Sequence, residues 1–215
     1  MGIIKGGILG GFRNKAGAVI GSYWRRLDII KGIPRISGKA PSQKQIDQRA
    51  KFKLVTGFFA WISDLIDIGY KHLSEIDTPM NVAVSYHLKE AITGTSPNFT
   101  IDYSKVKFSQ GSLKMPNSMS VISTTPGELD FTWVNFGSEG KKQDDSDTLT
   151  ILVFCPSLFE FVSIRNVATR SAQAYTLSLP VELSGEEVHV YVSFNSVRVP
   201  ELVSSSRHMG LISVL

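Results

Sequence analysis

The spacing of hydrophobic and polar residues changes twice along the chain, and the changes divide it into three regions. In residues 1–41, short apolar runs are interrupted by glycine, which is typical of extended segments. Residues 42–98 carry apolar positions three and four apart, as amphipathic helices do. From residue 99 the period is two, as in half-buried strands. The pattern predicts an α+β protein, with an N-terminal arm or hairpin, a helical hairpin and a C-terminal antiparallel β-sandwich in the ranges 1–41, 42–98 and 99–215.

The first region is predicted to be a strand-forming arm. Residues 8–30 are expected to form a β-hairpin with its turn at 14–17, where Gly17 supplies a positive φ, and residues 31–41 are expected to form a linker. Two strands alone are marginal in water, so the arm should pair with its own body or with another chain. The residues expected to make this contact are Phe12, Lys15, Gly17, Val19, Ile20, Tyr23 and Trp24.

The second region carries two helix-start signals. Ser42 and Gln45 fit a capping box, and Asp77, Thr78 and Pro79 fit a second start, so helices are predicted at about 42–73 and 79–93, the second ending at Gly94. The first helix has a broad apolar face, which should pack on a second helix, a sheet or a neighbouring subunit. That face contains Phe52, Val55, Phe58, Phe59, Trp61, Ile62 and Ile66.

Charge is distributed unevenly. The first forty residues hold eight basic residues and one acid, a net charge of +7, whereas the remainder holds 15 basic and 18 acidic residues, a net charge of −3. Basic residues interleaved with aromatic ones are suited to phosphate contact and base stacking. Nucleic acid is therefore a possible partner of the arm, through Arg13, Arg25, Arg26, Lys31 and Arg35.

The sequence predicts no catalytic site, no cofactor and no metal. It contains neither a nucleophile elbow nor a dinucleotide or phosphate-loop motif. Cys155 is the only cysteine, which excludes an internal disulfide and a thiolate metal cluster. The four histidines are scattered, and the acidic run 144–147 is expected to be a solvated turn. Cys155 is expected to be a buried small hydrophobe.

No signal peptide and no membrane span are predicted, because glycines interrupt the apolar residues at the start and the most apolar window, 54–68, is too short for a span. We therefore expect the protein to be cytoplasmic or part of a released assembly, such as a filament or a virion-like particle.

Two family resemblances follow from longer motifs. Residues 131–133, Phe-Thr-Trp, and the corner at 183–190 resemble a fibronectin type III domain, an immunoglobulin-like sandwich, although Val188 stands where that corner has its tyrosine. Residues 10–24, 48–52 and 84–94 resemble a bacterial family of unknown function that is common in Bacteroidota. The second resemblance covers nearly the whole chain and implies no particular activity.

Three functional hypotheses follow. The first is a non-enzymatic structural protein that self-assembles through its arm and apolar helix face, as a homo-oligomer or polymer in which each chain is a filament, tube or shell subunit. The second is a binding module in which the sandwich holds a ligand or glycan. The third is association with nucleic acid through the basic arm, which predicts a steep dependence of binding on salt.

Overall fold

The computed structural model is a mixed α+β structure, so the predicted fold class is confirmed at that level. It divides into two compact units, Met1–Ser42 and Gln43–Leu215. Within the described ranges, no helix combines the length and apolar character that crossing a membrane requires. The structure describes residues 2–3, 10–24, 27–35, 38–73, 77–135 and 144–215.

The N-terminal unit is a four-stranded antiparallel sheet with the order β1-β4-β3-β2. The predicted hairpin is present, with Gly17 in its turn at a φ of 60°. The sheet has two more strands than predicted, and its last strand extends into the segment expected to be a linker. Its strands are β1 (Gly2–Ile3), β2 (Asn14–Ala16), β3 (Val19–Trp24) and β4 (Leu27–Gly32).

A close backbone contact fixes one glycine of this sheet. A Cβ on Gly21 would lie 2.2 Å from the carbonyl oxygen of Phe12, which no side chain can accommodate without moving the backbone. Gly32, in the neighbouring strand, has no atom within 4 Å of such a Cβ. The segment that carries Phe12 therefore crosses β3 only because residue 21 has no side chain.

The helices of the second unit are α1 (Gln43–Ala60), α2 (Ser63–Gly69) and α3 (Pro79–Glu90). Thr78 caps α3 as predicted, because its Oγ1 accepts a hydrogen bond from the Asn81 amide at 3.3 Å. The single long helix predicted before it was wrong, since a turn at residues 61–62 separates α1 from α2. This turn keeps Ile62 and Ile66 buried while it leaves Trp61 exposed.

The predicted helix stop at Gly94 was also wrong. The chain leaves α3 at Glu90 and enters a hairpin of β5 (Ile92–Thr95) and β6 (Asn98–Ile101). Gly94 lies in β5 with a φ of 89°. Gly94 therefore adopts a positive φ, as glycine at a helix end would, but it does so in the hairpin of β5 and β6 rather than at the end of α3.

The remaining strands form two antiparallel sheets, with the orders β10-β9-β12-β13 and β11-β8-β7. Their sequences alternate or are continuously apolar, as the period of two predicted. The strands are β7 (Ser118–Ile122), β8 (Glu128–Val134), β9 (Thr148–Cys155), β10 (Glu160–Ile164), β11 (Ala174–Ser178), β12 (Glu187–Asn195) and β13 (Arg207–Ser213).

Strand β9 is buried on both faces. On one face Ile151, Val153 and Cys155 join a hydrophobic cluster that includes side chains of β8, β11 and β12. On the other face Leu152 and Phe154 join a second cluster with the helices. The sheet that contains β9 is therefore the middle layer, between the helices and the three-stranded sheet. Cys155 is a buried small hydrophobe, as predicted.

Candidate interaction site

The structure brings two of the scattered histidines together. Pairing of β12 with β13 places His189 Nδ1 3.0 Å from His208 Nε2. Burial lowers the pKa of both side chains, and for His189 the neighbouring His208 adds to the effect. No group of three or more histidine, cysteine or acidic residues suited to a metal occurs in the described part of the chain. The pair shares a hydrogen bond between β12 and β13.

A third histidine is structural. The buried His87 lies on α3, where its Nδ1 is 2.7 Å from the Ala83 carbonyl oxygen and its Nε2 accepts a hydrogen bond from the Lys107 amide at 2.9 Å. A carbonyl oxygen only accepts and a backbone amide only donates, so these partners fix a neutral imidazole with its proton on Nδ1. Burial is the largest effect and lowers the pKa of His87 from 6.5 to about 4.

This neutral histidine makes stability depend on pH. Because the folded-state pKa lies below the unfolded value, the unfolded chain binds more protons between about pH 6.5 and 4, and stability falls as pH falls through that window. We expect a loss of about 2 kcal/mol between pH 7 and pH 5 from this residue. Urea unfolding of the wild type and of His87→Gln checks this, because glutamine can donate and accept but does not titrate. Equal pH slopes in the two proteins would contradict the assignment.

The acidic run at 144–147 is a turn, but it is not wholly solvated as predicted. Asp147 is buried and accepts a hydrogen bond from Arg170 Nε at 3.1 Å. Arg170 Nη2 donates to the Lys114 carbonyl oxygen at 2.7 Å, and its guanidinium lies 4.5 Å from the centre of the Phe194 ring. Asp147 Oδ2 also accepts a hydrogen bond from the Asp144 amide at 2.8 Å, whereas the buried Asp147 Oδ1 has no hydrogen-bond partner among the described residues. Both side chains are buried within the fold, so we assign the pair no role in binding.

An exposed aromatic surface lies where the turn between α1 and α2 meets strand β10. Trp61 is 66% exposed and Phe159, in the turn between β9 and β10, is 48% exposed. Phe161 completes a triangle with them: its ring centre is 6.4 Å from that of Trp61 and 5.5 Å from that of Phe159, and the latter two centres are 6.5 Å apart. We call Trp61, Phe159 and Phe161 the aromatic surface.

The aromatic surface has acidic neighbours. Glu160, the first residue of β10, is exposed, but it pairs with Cys155, so its side chain lies on the sheet face opposite to Phe161. Asp64 is three residues after Trp61 at the start of α2. Arg165, just beyond β10, lies 3.8 Å from Asp64, and both side chains are half-exposed. An ion pair at this distance and exposure contributes little energy. The carboxylates of Glu160 and Asp64 therefore both remain accessible to cations.

The residues predicted to form the assembly arm lie on β2, on β3, in the turn between them and in the segment before them. Lys15, Gly17, Tyr23 and Trp24 are exposed, while Phe12, Val19 and Ile20 are partly buried. Arg13 Cζ lies 4.5 Å from the centre of the Tyr23 ring. Of the predicted polyanion contacts, Arg13, Lys31 and Arg35 are exposed, and Arg25 and Arg26 lie outside the described residues.

The predicted apolar helix face is largely used inside its own unit. Five of its members pack in the hydrophobic cluster between the helices and the sheet that contains β9: Val55, Phe58, Phe59, Ile62 and Ile66. Phe52 and Trp61 are exposed. Sequence periodicity missed the exposure of Trp61 because it depends on the turn after α1, and it missed Phe159 because its partner rings come from distant elements.

The described residues thus define an α+β protein with a separate N-terminal sheet and an exposed aromatic surface on the larger unit. Residues 11–210 match a family of unknown function, DUF6266, and the chain belongs to that family. The prediction of a family of unknown function is confirmed. A comparison with curated proteins found no match.

Proposed function

We propose that the protein is a non-enzymatic structural subunit that self-associates through its N-terminal arm. The observation that carries the proposal is that the arm sheet has almost no core. Among its described large apolar side chains Ile29 is buried, at 6% exposure, Phe12, Val19, Ile20 and Ile30 are partly buried, and five others are 39–55% exposed. The exposed ones are Ile3, Tyr23, Trp24, Leu27 and Ile33. A sheet gains stability by burying a face against another layer, so this sheet favours a partner.

The charge distribution suits a second copy as that partner. The arm carries +7 and the rest of the chain −3, so the arm of one copy is attracted to the body of the next. A contact between two different surfaces of the same chain is heterologous, and its repetition produces rings or filaments. The proposal therefore includes a polymer or closed ring rather than a simple two-fold dimer.

We also propose that β7–β13 form a fibronectin type III-like sandwich. The three-stranded sheet β11-β8-β7 and the four-stranded sheet β10-β9-β12-β13 contribute to one hydrophobic cluster. Trp133 lies on β8, the second of these seven strands. Domains of this architecture commonly act as spacers or binding modules, and the site rather than the fold decides which. The exposure of Trp61 and Phe159 at turns favours a ligand- or glycan-binding module as the second candidate function.

The arm can be tested without removing any charge. Gly21→Val should break the crossing of Phe12 over β3 and weaken association by about tenfold or more, whereas the matched control Gly32→Ala should associate like the wild type. Sedimentation velocity across a concentration series, with electron microscopy of the wild type, measures the effect. A wild-type protein that is monomeric up to about 1 mM would refute self-association.

The same variants distinguish self-association through the arm from binding of nucleic acid by the arm. If Gly21→Val leaves association unchanged but the wild type binds single-stranded nucleic acid with a steep salt dependence, the arm is a polyanion-binding element. The thermal unfolding of the larger unit should be the same in all three proteins, because the substitutions lie in the other compact unit.

A further inference from the structure

We infer that the aromatic surface and its acidic neighbours form the receptor for the basic arm of a second copy. This inference rests on the proposed self-association and names the surface that completes it. The arm supplies exposed cations and apolar side chains, and the receptor supplies exposed rings and carboxylates. The two surfaces lie in separate units of each chain, so a contact between copies can repeat.

The aromatic surface is preorganised. Trp61 and Phe161 stack with their planes 8° apart, and Phe159 meets Phe161 at 90°. Beneath them the buried Phe154 lies 4.6 Å from Phe161 and 5.8 Å from Phe159, measured between ring centres. Rings that are already held in place lose little conformational entropy on binding, which is a property of aromatic anchors at protein interfaces.

The backbone beside these rings is also suited to a strand-forming partner. Strand β10 is at one end of the order of the four-stranded sheet in the described part of the chain. An end strand presents amides and carbonyls along its outer side, and an extended segment can add to it. The arm is made of extended segments, and its own end strand β2 is exposed along its whole length.

Charge selects the occupant. Glu160 lies within the receptor strand, and the arm has Arg13 and Lys15 exposed next to and within β2. Opposite charges steer the encounter and fix the register, whereas a body with a net charge of −3 repels nucleic acid. The +7 arm of another copy therefore fits this surface better than a polyanion does.

A complementation experiment on full-length chains tests the inference. Trp61→Ser with Phe159→Ser removes the receptor rings and keeps the arm, while Gly21→Val damages the arm and keeps the receptor. Each variant alone should associate at least about tenfold more weakly than the wild type. Mixed together, they should form a 1:1 complex that grows no further, because only one arm and one receptor remain intact. Leu211→Ser, another exposed apolar position, is the control and should behave like the wild type.

Charge reversal gives a second readout. Glu160→Lys should weaken association, and adding Lys15→Glu in the same chain should restore part of it at low salt. Circular dichroism spectra identical to the wild type establish that the variants are folded.

The outcomes separate the two proposals. If Gly21→Val abolishes association but the receptor variant associates normally, the arm docks elsewhere and the inference is overturned while self-association stands. If the wild type does not associate, both fail. If the receptor variant associates normally but loses binding to an array of oligosaccharides, the aromatic surface is a glycan site and the inference is overturned.

Discussion

Replacing Arg170 by methionine is expected to destabilise the larger unit by about 3–5 kcal/mol, the cost of removing one partner of a buried ion pair. Arg170 and Asp147 are 1% and 0% exposed. Without the guanidinium, the carboxylate would stay buried without its counter-ion, or would have to bind a proton on folding. Either route lowers the free energy of unfolding at neutral pH.

Arg170 also connects three parts of the fold. Its side chain holds the Lys114 carbonyl and the Asp147 carboxylate, and its own carbonyl accepts a hydrogen bond from Trp133 Nε1 at 2.7 Å. Methionine keeps much of the aliphatic volume and the main-chain bond to Trp133, but it cannot donate to the Asp147 carboxylate or to the Lys114 carbonyl. The loss therefore comes from electrostatics and hydrogen bonding rather than from a cavity.

Urea unfolding at pH 7 measures the effect. Arg165→Met is the matched control, because its ion pair with Asp64 is half-exposed and should cost less than about 1 kcal/mol. The double substitution Arg170→Met with Asp147→Leu should recover part of the stability, since no buried charge is then left unpaired. A cost for Arg170→Met as small as the control's would show that the buried pair does not stabilise the fold.

Phe154→Ala is expected to cost about 3–5 kcal/mol, because it opens a cavity between the helices and the middle sheet. The Phe154 ring is fully buried, and its centre lies 5.1 Å from that of Phe58 and 5.0 Å from that of Tyr103. These partners come from α1 and from the segment after β6. The ring is 0% exposed, so its truncation leaves a cavity inside a close-packed interior.

The measurement is again urea unfolding, with hydrogen exchange of the amides of α1 as a local readout. Exchange should quicken in α1 more than in β8, because β8 packs on the opposite face of the middle sheet. Phe52→Ala, an exposed phenylalanine of the same helix, is the control and should change stability by less than about 1 kcal/mol. Equal losses for the two variants would contradict the role assigned to Phe154.

Local signals in the sequence predicted local structure well. The cap at Thr78, the turn at Gly17 and the period of two after residue 99 each depend on neighbouring residues, and each is found in the structure. The misassigned end of the second helix has a local cause too. Gly94 carries a positive φ in a hairpin just as it would after a helix, so the residue type alone does not distinguish the two.

Long-range pairing could not be predicted in the same way. The ion pair of Asp147 with Arg170 and the contact of His189 with His208 depend on how turns and strands meet, and nothing in the neighbouring sequence encodes the partner. The aromatic surface also depends on long-range contacts. Its rings were visible in the sequence, but the turn that exposes Trp61 and the hairpin that presents Phe159 depend on packing against the middle sheet.

The burial of β9 on both faces has a consequence for the order in which the chain can fold. The helices end at Glu90, but the strands that cover them, β9 and β12, begin at Thr148 and Glu187. During synthesis α1–α3 therefore emerge with Phe58, Phe59 and Ile62 uncovered. These side chains stay uncovered until most of the remaining chain has been made. Contacts between such distant segments slow folding and leave apolar surface accessible to aggregation. Until β9 and β12 have been synthesised, the nascent helical segment therefore presents apolar surface to which a chaperone can bind.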